Sequence, residues 1–297
     1  MKNILIFTEY SKKIGMGHFI RSERLYSSLK KKYNCKFYVN KNKKFIKKLL
    51  KNKRNFSLVI YDFKNYEKKL IINNKKLYFI LFDQSKIKYN NLISINPLAL
   101  DTRSPYNGPK WFIYPKNFYQ KKLKRKYKKK LNLFISQGAT DSNNSLKKIL
   151  KKINYNNNKI NKIYVKIPKN NYLGEIKNKK IIKISNIKNL FNLLNKIDLA
   201  ICGCGNFSYE INFFKVPTVY ISDEKNEILR GKKLEKLKLG RFYKTKNLNN
   251  ALKELDKLTI NKDYYLKMVQ NKKNFFTDNG LSNIKVKIKK IFHQYED

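Results

Sequence analysis

Short apolar runs alternate with lysine-rich stretches of helical spacing along this chain, and that rhythm limits the fold more than any other feature. The first half carries Ile4–Phe7, Lys36–Val39, Leu58–Tyr61, Leu77–Phe82 and Leu92–Ile95. Strands separated by helix-length crossovers pair in parallel, so the pattern predicts an α/β sheet. A nearly continuous charge block over residues 115–130 interrupts it and reads as a domain linker and surface helix. The rhythm restarts at Leu131–Ser136, Ile163–Ile167, Ile181–Ile184, Leu199–Cys202 and Thr218–Ile221. Two sheets of similar size follow, in domains expected over residues 1–120 and 121–297, with a cleft between them. The last apolar-periodic stretch, Ile284–Phe292, is assigned to the second domain. No repeat of solenoid type is present.

Behind the first run stands Gly15-Met-Gly-His-Phe-Ile-Arg21, which contains one of only two histidines in 297 residues. The glycines predict a turn in which backbone can approach a ligand, and Phe19-Ile20, Leu25 and Leu29 give the apolar stripe of the helix that follows. His18 then lies at that helix's N-terminus, where the partial positive charge disfavours an added proton. A neutral imidazole there can serve as a general base. Arg21 lies one turn further on, so both side chains can reach one mouth. Arginine is scarce, seven against 62 lysines, so its presence is less easily background. Arg24 reads as a solvated residue of another face.

Two strands end in an acid, Asp62 and Asp83. Each fits a carboxylate facing the ligand end of a parallel sheet or a turn and helix-cap aspartate equally well. In the second half, Ile197 to Glu210 reads as a strand, a glycine turn and a helix opening with Asn206 and Ser208. Free N–H groups at such a start suit a diphosphate. Glu210 could take both hydroxyls of a ribose, or act as a first-turn acid for the helix dipole. A third glycine turn, Ser136 to Ser142, follows the first strand of the second half.

The formal charge of +49 invites a nucleic-acid reading. Lys, Asn, Ile, Tyr and Phe are inflated together, however, as in an adenine- and thymine-rich coding sequence, and lysine is spread over nearly every segment. Specific nucleic-acid binding is therefore not expected, although polyanions and anionic lipid should hold the chain loosely at low salt. Cys35, Cys202 and Cys204 form no disulfide framework, which fits a reducing cytoplasm. A lone Cys-x-Cys cannot complete a tetrahedral zinc site, and neither metal nor cofactor is expected. No stretch approaches the ~20 apolar residues of a membrane span. A soluble monomer is the expectation.

In order along the chain, these motifs resemble those of the nucleotide-sugar hydrolases of pseudaminic acid biosynthesis, which cleave a UDP-linked 2,4-diacetamido-2,4,6-trideoxy sugar, and of their relatives with the glycosyltransferase-B (GT-B) fold. Gly15-Met-Gly-His-Phe-Ile-Arg21 is similar to the family's Gly-x-Gly-His-x-x-Arg, and Gly108 to Phe118 to the segment that ends its N-terminal domain. Gln137-Gly-Ala-Thr-Asp141 is similar to its Gly-Gly-Ser-Asp turn, and Cys204-Gly-Asn-Phe-Ser-Tyr-Glu210 with Val216-Pro217 to its Gly-Gly-Ser-Thr-x-Tyr-Glu…Val-Pro stretch. The chain departs from these patterns at Gln137 and at Cys204-Gly205-Asn206-Phe207. The resemblance implies an α/β chain of two Rossmann-like domains facing a cleft. It also implies His18 acting on water at the anomeric carbon, Gly17 and Arg21 shaping its pocket, Glu210 on the ribose, and Gly205 with Asn206 on the diphosphate. Ser185-Asn186-Ile187 matches where the wider fold binds uracil, and Asp83 joins the expected substrate-binding set. Two other functions stay open: a GT-B glycosyltransferase using a UDP-sugar donor, and a non-enzymatic polyanion-binding protein, which would leave the glycine turns and His18 without a role.

Overall fold

The computed structural model describes residues 2–11, 15–51, 56–63, 69, 71, 73–74, 76–83, 89–100, 104–120, 125–138, 141, 144–168, 178–185, 190–273, 275–276 and 279–294. The chain divides into two compact units. Unit 1 comprises Met1–Pro115 and Asp278–Asp297. Its sheet contains β1 (Asn3–Thr8), β2 (Asn34–Val39), β3 (Leu58–Asp62), β4 (Tyr78–Phe82) and β5 (Leu92–Ile95), in the order β2-β1-β3-β4-β5. All neighbours are parallel.

The inner strands are continuous apolar runs because both faces of the sheet are covered. Ile4, Ile6, Leu58, Ile60, Ile80 and Phe82 pack on one side with Leu25 and Leu29 of α1 (Gly17–Leu29). The alternate residues Leu5, Phe7, Val59, Tyr61, Phe79 and Leu81 pack on the other with Ile46 and Leu50 of α2 (Lys43–Lys51). Chain order along the sheet reverses between β1 and β3. In open α/β sheets ligands sit beyond the carboxyl ends of the strands at such a reversal.

Unit 2, Lys116–Thr277, holds β6 (Leu131–Ser136), β7 (Ile160–Lys166), β8 (Ile181–Ile184), β9 (Leu199–Cys202), β10 (Thr218–Ile221) and β11 (Arg241–Tyr243). Their order is β11-β10-β9-β6-β7-β8, again all parallel, so the reversal lies between β6 and β9. The helices are α3 (Ser145–Lys152), α4 (Leu190–Lys196), α5 (Asn206–Phe213), α6 (Lys225–Lys236), α7 (Leu248–Ile260) and α8 (Lys262–Lys272). Leu133, Ile135, Leu199, Ile201 and Val219 form its main core with Leu146 and Ile149 of α3 and Leu255 and Leu258 of α7. β11 is a strand that the sequence pattern did not mark, because three residues cannot display a period.

The last helix, α9 (Gly280–His293), belongs to unit 1 rather than to the second domain as the sequence order suggested. Its Ile284, Ile288, Ile291 and Phe292 pack against Ile4, Trp111 and Ile113, so the apolar stripe finds its partner 170 and more residues upstream. The first unit correspondingly ends at Pro115, not 120.

The charge block also differs from the surface helix expected of it. Its described residues form a 3₁₀ turn at Lys116–Gln120 and no α-helix. The Arg125 side chain is 6% exposed and donates to the carbonyls of Leu194, Ile197 and Phe214, while the Lys128 amine meets buried Asp198 at 2.7 Å. Carbonyl groups at element ends need donors, and this basic segment supplies them. Arg24 likewise is not merely solvated, since Nη1 donates to the Ile113 carbonyl at 2.9 Å.

Candidate active site

At the reversal point of unit 1 five side chains from three elements converge. α1 starts at Gly17 after the Gly15 turn, where φ is +82°, a value that glycine adopts without strain. This places His18 in the helix's first turn and Arg21 and Ser22 in its second. Asp62 closes β3 and Asp83 follows β4 with φ +60°, a left-handed conformation that aspartate tolerates at a tight exit.

Asp62 is fully buried and receives four donors. Its Oδ1 takes His18 Nδ1 at 2.6 Å and Arg21 Nη2 at 2.6 Å, and its Oδ2 takes Arg21 Nε and Ser22 Oγ, each at 2.9 Å. Burial alone would raise the Asp62 carboxyl; the Arg21 charge and its two hydrogen bonds, with His18 adding to them, outweigh it and hold the pKa down at about 2. Asp62 is therefore an anion that can only accept, so His18 Nδ1 carries the hydrogen between them, and in the neutral form of the ring Nε2 is the acceptor. A carboxylate that fixes the tautomer of an imidazole and steadies its charged form is the arrangement of histidine bases generally. The sequence argument for His18 rested on the helix dipole and did not include this carboxylate, which lies 44 residues away.

Arg21 does not turn outward to a shared mouth. Its side chain is 5% exposed, its guanidinium lies over the Phe82 ring at 4.5 Å, and Nη2 reaches Asp83 Oδ2 at 2.8 Å as well as Asp62. Burial opposes the guanidinium charge, and the two facing carboxylates more than restore it. His18, Asp62 and Asp83 also form the one cluster among the described residues with ligand atoms close enough for a metal ion. Arg21 Nη2 stands among all three, 3.3 Å from His18 Nδ1, so the cation of this cluster is the guanidinium.

In unit 2, two turns leave the carboxyl ends of β6 and β9 at the reversal. The first bends at Gly138 with φ +83°, and Asp141 caps α3 by accepting from the N–H groups of Ser145 and Leu146 at 2.9 and 3.1 Å. After β9 the chain passes through Gly203, Cys204 and Gly205 into α5. Gly205 is the N-cap residue, and among the described residues no side chain caps this start and none pairs with the buried Oδ1 of Asn206. Glu210 lies one turn into α5 and is 7% exposed. Ile187 and its neighbour Asn186 lie outside the described residues.

Other residues emerge that the sequence reading left out. Ser22 had no signal beyond its distance of four from His18. Glu227, in the first turn of α6, accepts from the Cys204 N–H at 2.8 Å, and Arg230 donates to the Cys204 carbonyl. Only the adjacency of β9 and β10 brings α6 to this turn, and no local pattern encodes that. Cys202 and Cys204 are buried free thiols that burial pushes up in pKa, so neither is poised as a thiolate.

No family model and no curated protein matches this sequence. Solved structures do match its shape. MurG of Acinetobacter baumannii superposes with a TM-score of 0.65 at 10% identity, over 98% of this chain and 100% of that one. MnaA of S. aureus, solved with UDP, gives 0.65 at 13% identity over 99% and 97% of the two chains. The calicheamicin glycosyltransferase CalG4 gives 0.63 at 10% identity over 100% of both. The fold is GT-B. Both of its Rossmann-like α/β domains are present, and each carries its glycine turns at the strand ends where the fold places ligands.

Proposed function

We propose that the chain hydrolyses a UDP-linked 2,4-diacetamido-2,4,6-trideoxy sugar at its anomeric carbon, releasing UDP and the free sugar for nonulosonic (pseudaminic-type) acid biosynthesis. The observation that carries this reading is the His18–Asp62 pair, which leaves an imidazole Nε2 as proton acceptor in the first domain. UDP in the S. aureus MnaA structure supports a uridine nucleotide as ligand of a fold of this type, and the motif resemblance supports the sugar.

His18 Nε2 takes a proton from water as the water oxygen bonds to the anomeric carbon. The bond from that carbon to the diphosphate oxygen breaks, its electron pair leaves with UDP, and the configuration inverts. Asp62 steadies the imidazolium that forms, and Arg21 keeps Asp62 ionised and in place. Asp83, tied to the same guanidinium and partly exposed, is the group of this cluster available to a sugar hydroxyl. In the second domain, the α5 start at Gly205 and Asn206 receives the diphosphate, Glu210 the ribose, and the segment at Ile187 the uracil. Gly17 keeps the entry to α1 free of a side chain.

A glycosyltransferase would use the same base on an acceptor hydroxyl, a reading that the fold likeness to the calicheamicin glycosyltransferase favours. Incubation with the UDP-sugar alone separates the two. A hydrolase releases UDP and sugar in equal amounts, with label from ¹⁸O-water on the anomeric oxygen, whereas turnover only after an acceptor is added assigns a transferase. Label in the phosphate rules out His18 as base for attack at carbon.

A further inference from the structure

The turn between β9 and α5 already holds an anion of the protein's own. Glu227 Oε2 accepts from the Cys204 N–H at 2.8 Å. A Cβ built on Gly203 would stand 2.9 Å from Oε2, and one on Gly205 3.0 Å from Oε1. The carboxylate therefore lies across both glycines, in the space their absent side chains leave. Neither glycine has a positive φ, so their role here is room for close approach rather than backbone freedom. Arg230, one turn along α6, grips the carbonyl of the same Cys204.

We propose that Glu227 is a resident competitor for the diphosphate seat of this turn, which a nucleotide must displace in order to bind. The inference rests on the reading of the turn as the diphosphate site. A phosphate oxygen and a carboxylate oxygen are both acceptors, so they cannot share the Cys204 N–H or meet over the glycines without a donor between them. The turn supplies no cation to reconcile them: Cys202 and Cys204 are neutral thiols, and Asn206 offers a buried acceptor oxygen. Arg230 is the nearest charged group on Glu227's own helix shown at this turn, and its Nη1 donates to the Cys204 carbonyl. Glu227 has somewhere to go, because it is half-buried and the residues before it, the N-cap Glu224 and Lys225 and Asn226 of α6, are exposed. While the carboxylate is seated, the population able to take a diphosphate is reduced, and the apparent affinity falls by that fraction.

Calorimetric titration of the 297-residue chain with UDP, and with uridine as a probe lacking phosphates, tests this on wild type, Glu227→Ala, Glu227→Gln and Glu224→Ala. Both Glu227 variants should bind UDP at least about tenfold more tightly, the release of the seated fraction. Uridine affinity should be the same in all four. Glu224→Ala removes an exposed acid from the same helix start and should change UDP binding less than about twofold. Unchanged or weaker UDP binding by the Glu227 variants overturns the proposal, as does equal tightening in Glu224→Ala, which would reduce the effect to general charge. If none of the four proteins binds UDP, the diphosphate assignment falls and takes this inference with it. Equal binding by all four overturns the inference alone.

Discussion

Asp62→Asn is the most exacting test of the cluster around His18. The side chain is fully buried and accepts from His18, twice from Arg21, and from Ser22. Asparagine preserves the volume but replaces one oxygen with an amide donor. Whichever way the amide turns, its NH₂ faces an N–H of Arg21, so one of the two parallel hydrogen bonds becomes a donor–donor contact. The buried guanidinium keeps only Asp83, whose side chain is 29% exposed. Removing one partner of a buried ion pair costs about 3–5 kcal/mol. The chain's single tryptophan, Trp111, is buried in the core of the same unit, so its fluorescence reports unfolding of that unit. With an m-value of about 2 kcal/mol/M in urea, the midpoint should fall by roughly 1.5–2.5 M at pH 7. The pH dependence supplies a second check. Asp62 is held at about 2 against an ordinary 3.8, so its stabilisation is fully present above the ordinary value and is lost as the pH falls through about 2. The gap between wild type and variant should therefore close across that window. A midpoint within about 0.5 M of wild type at pH 7 would refute the claim that Asp62 anchors a buried charge network.

Three further outcomes are expected. His18→Asn should lower turnover of the UDP-sugar by roughly 10²–10⁴-fold while leaving UDP affinity and the Trp111 unfolding midpoint in place; an equally active variant removes the base from His18. Gly280→Ala should destabilise unit 1 by about 1–3 kcal/mol and so lower that midpoint, because its Cβ would stand 2.3 Å from the Phe112 oxygen and the Trp111 backbone carbon, and an unchanged midpoint would contradict the docking of α9 on unit 1. Lys272 is fully buried and donates to the Val216 carbonyl at 2.5 Å and Thr218 Oγ1 at 3.1 Å, and burial holds its amine well below the ordinary lysine value. The unfolded chain then binds a proton that the folded one resists, so wild type should gain stability relative to Lys272→Met as the pH rises towards 10.5. Parallel pH curves for the two proteins would show that the amine stays charged.

How far the sequence could be read follows from the range of each interaction. The parallel sheets were legible because burial on both faces writes a continuous apolar run, as in Ile4–Phe7 or Leu199–Cys202, and a run survives without knowledge of its partner. His18 and the glycine turns were legible because strand, turn and helix are contiguous. What stayed hidden depends on chain segments far apart: the His18–Asp62 contact spans 44 residues and the Cys204–Glu227 contact 23. Asp62 stood at the end of a run where an acid serves a cap or a site equally well, and only the β1–β3 pairing, Thr8 against Asp62, brings it beneath α1. α9 was placed with the wrong domain for the same reason, since an apolar stripe states that a face is buried but not against what. Glu227 carries the point furthest. Both glycines flanking Cys204 read as an anion seat, and the structure fills that seat with a carboxylate from the next crossover. A glycine turn encodes room, and the neighbouring elements decide what occupies it.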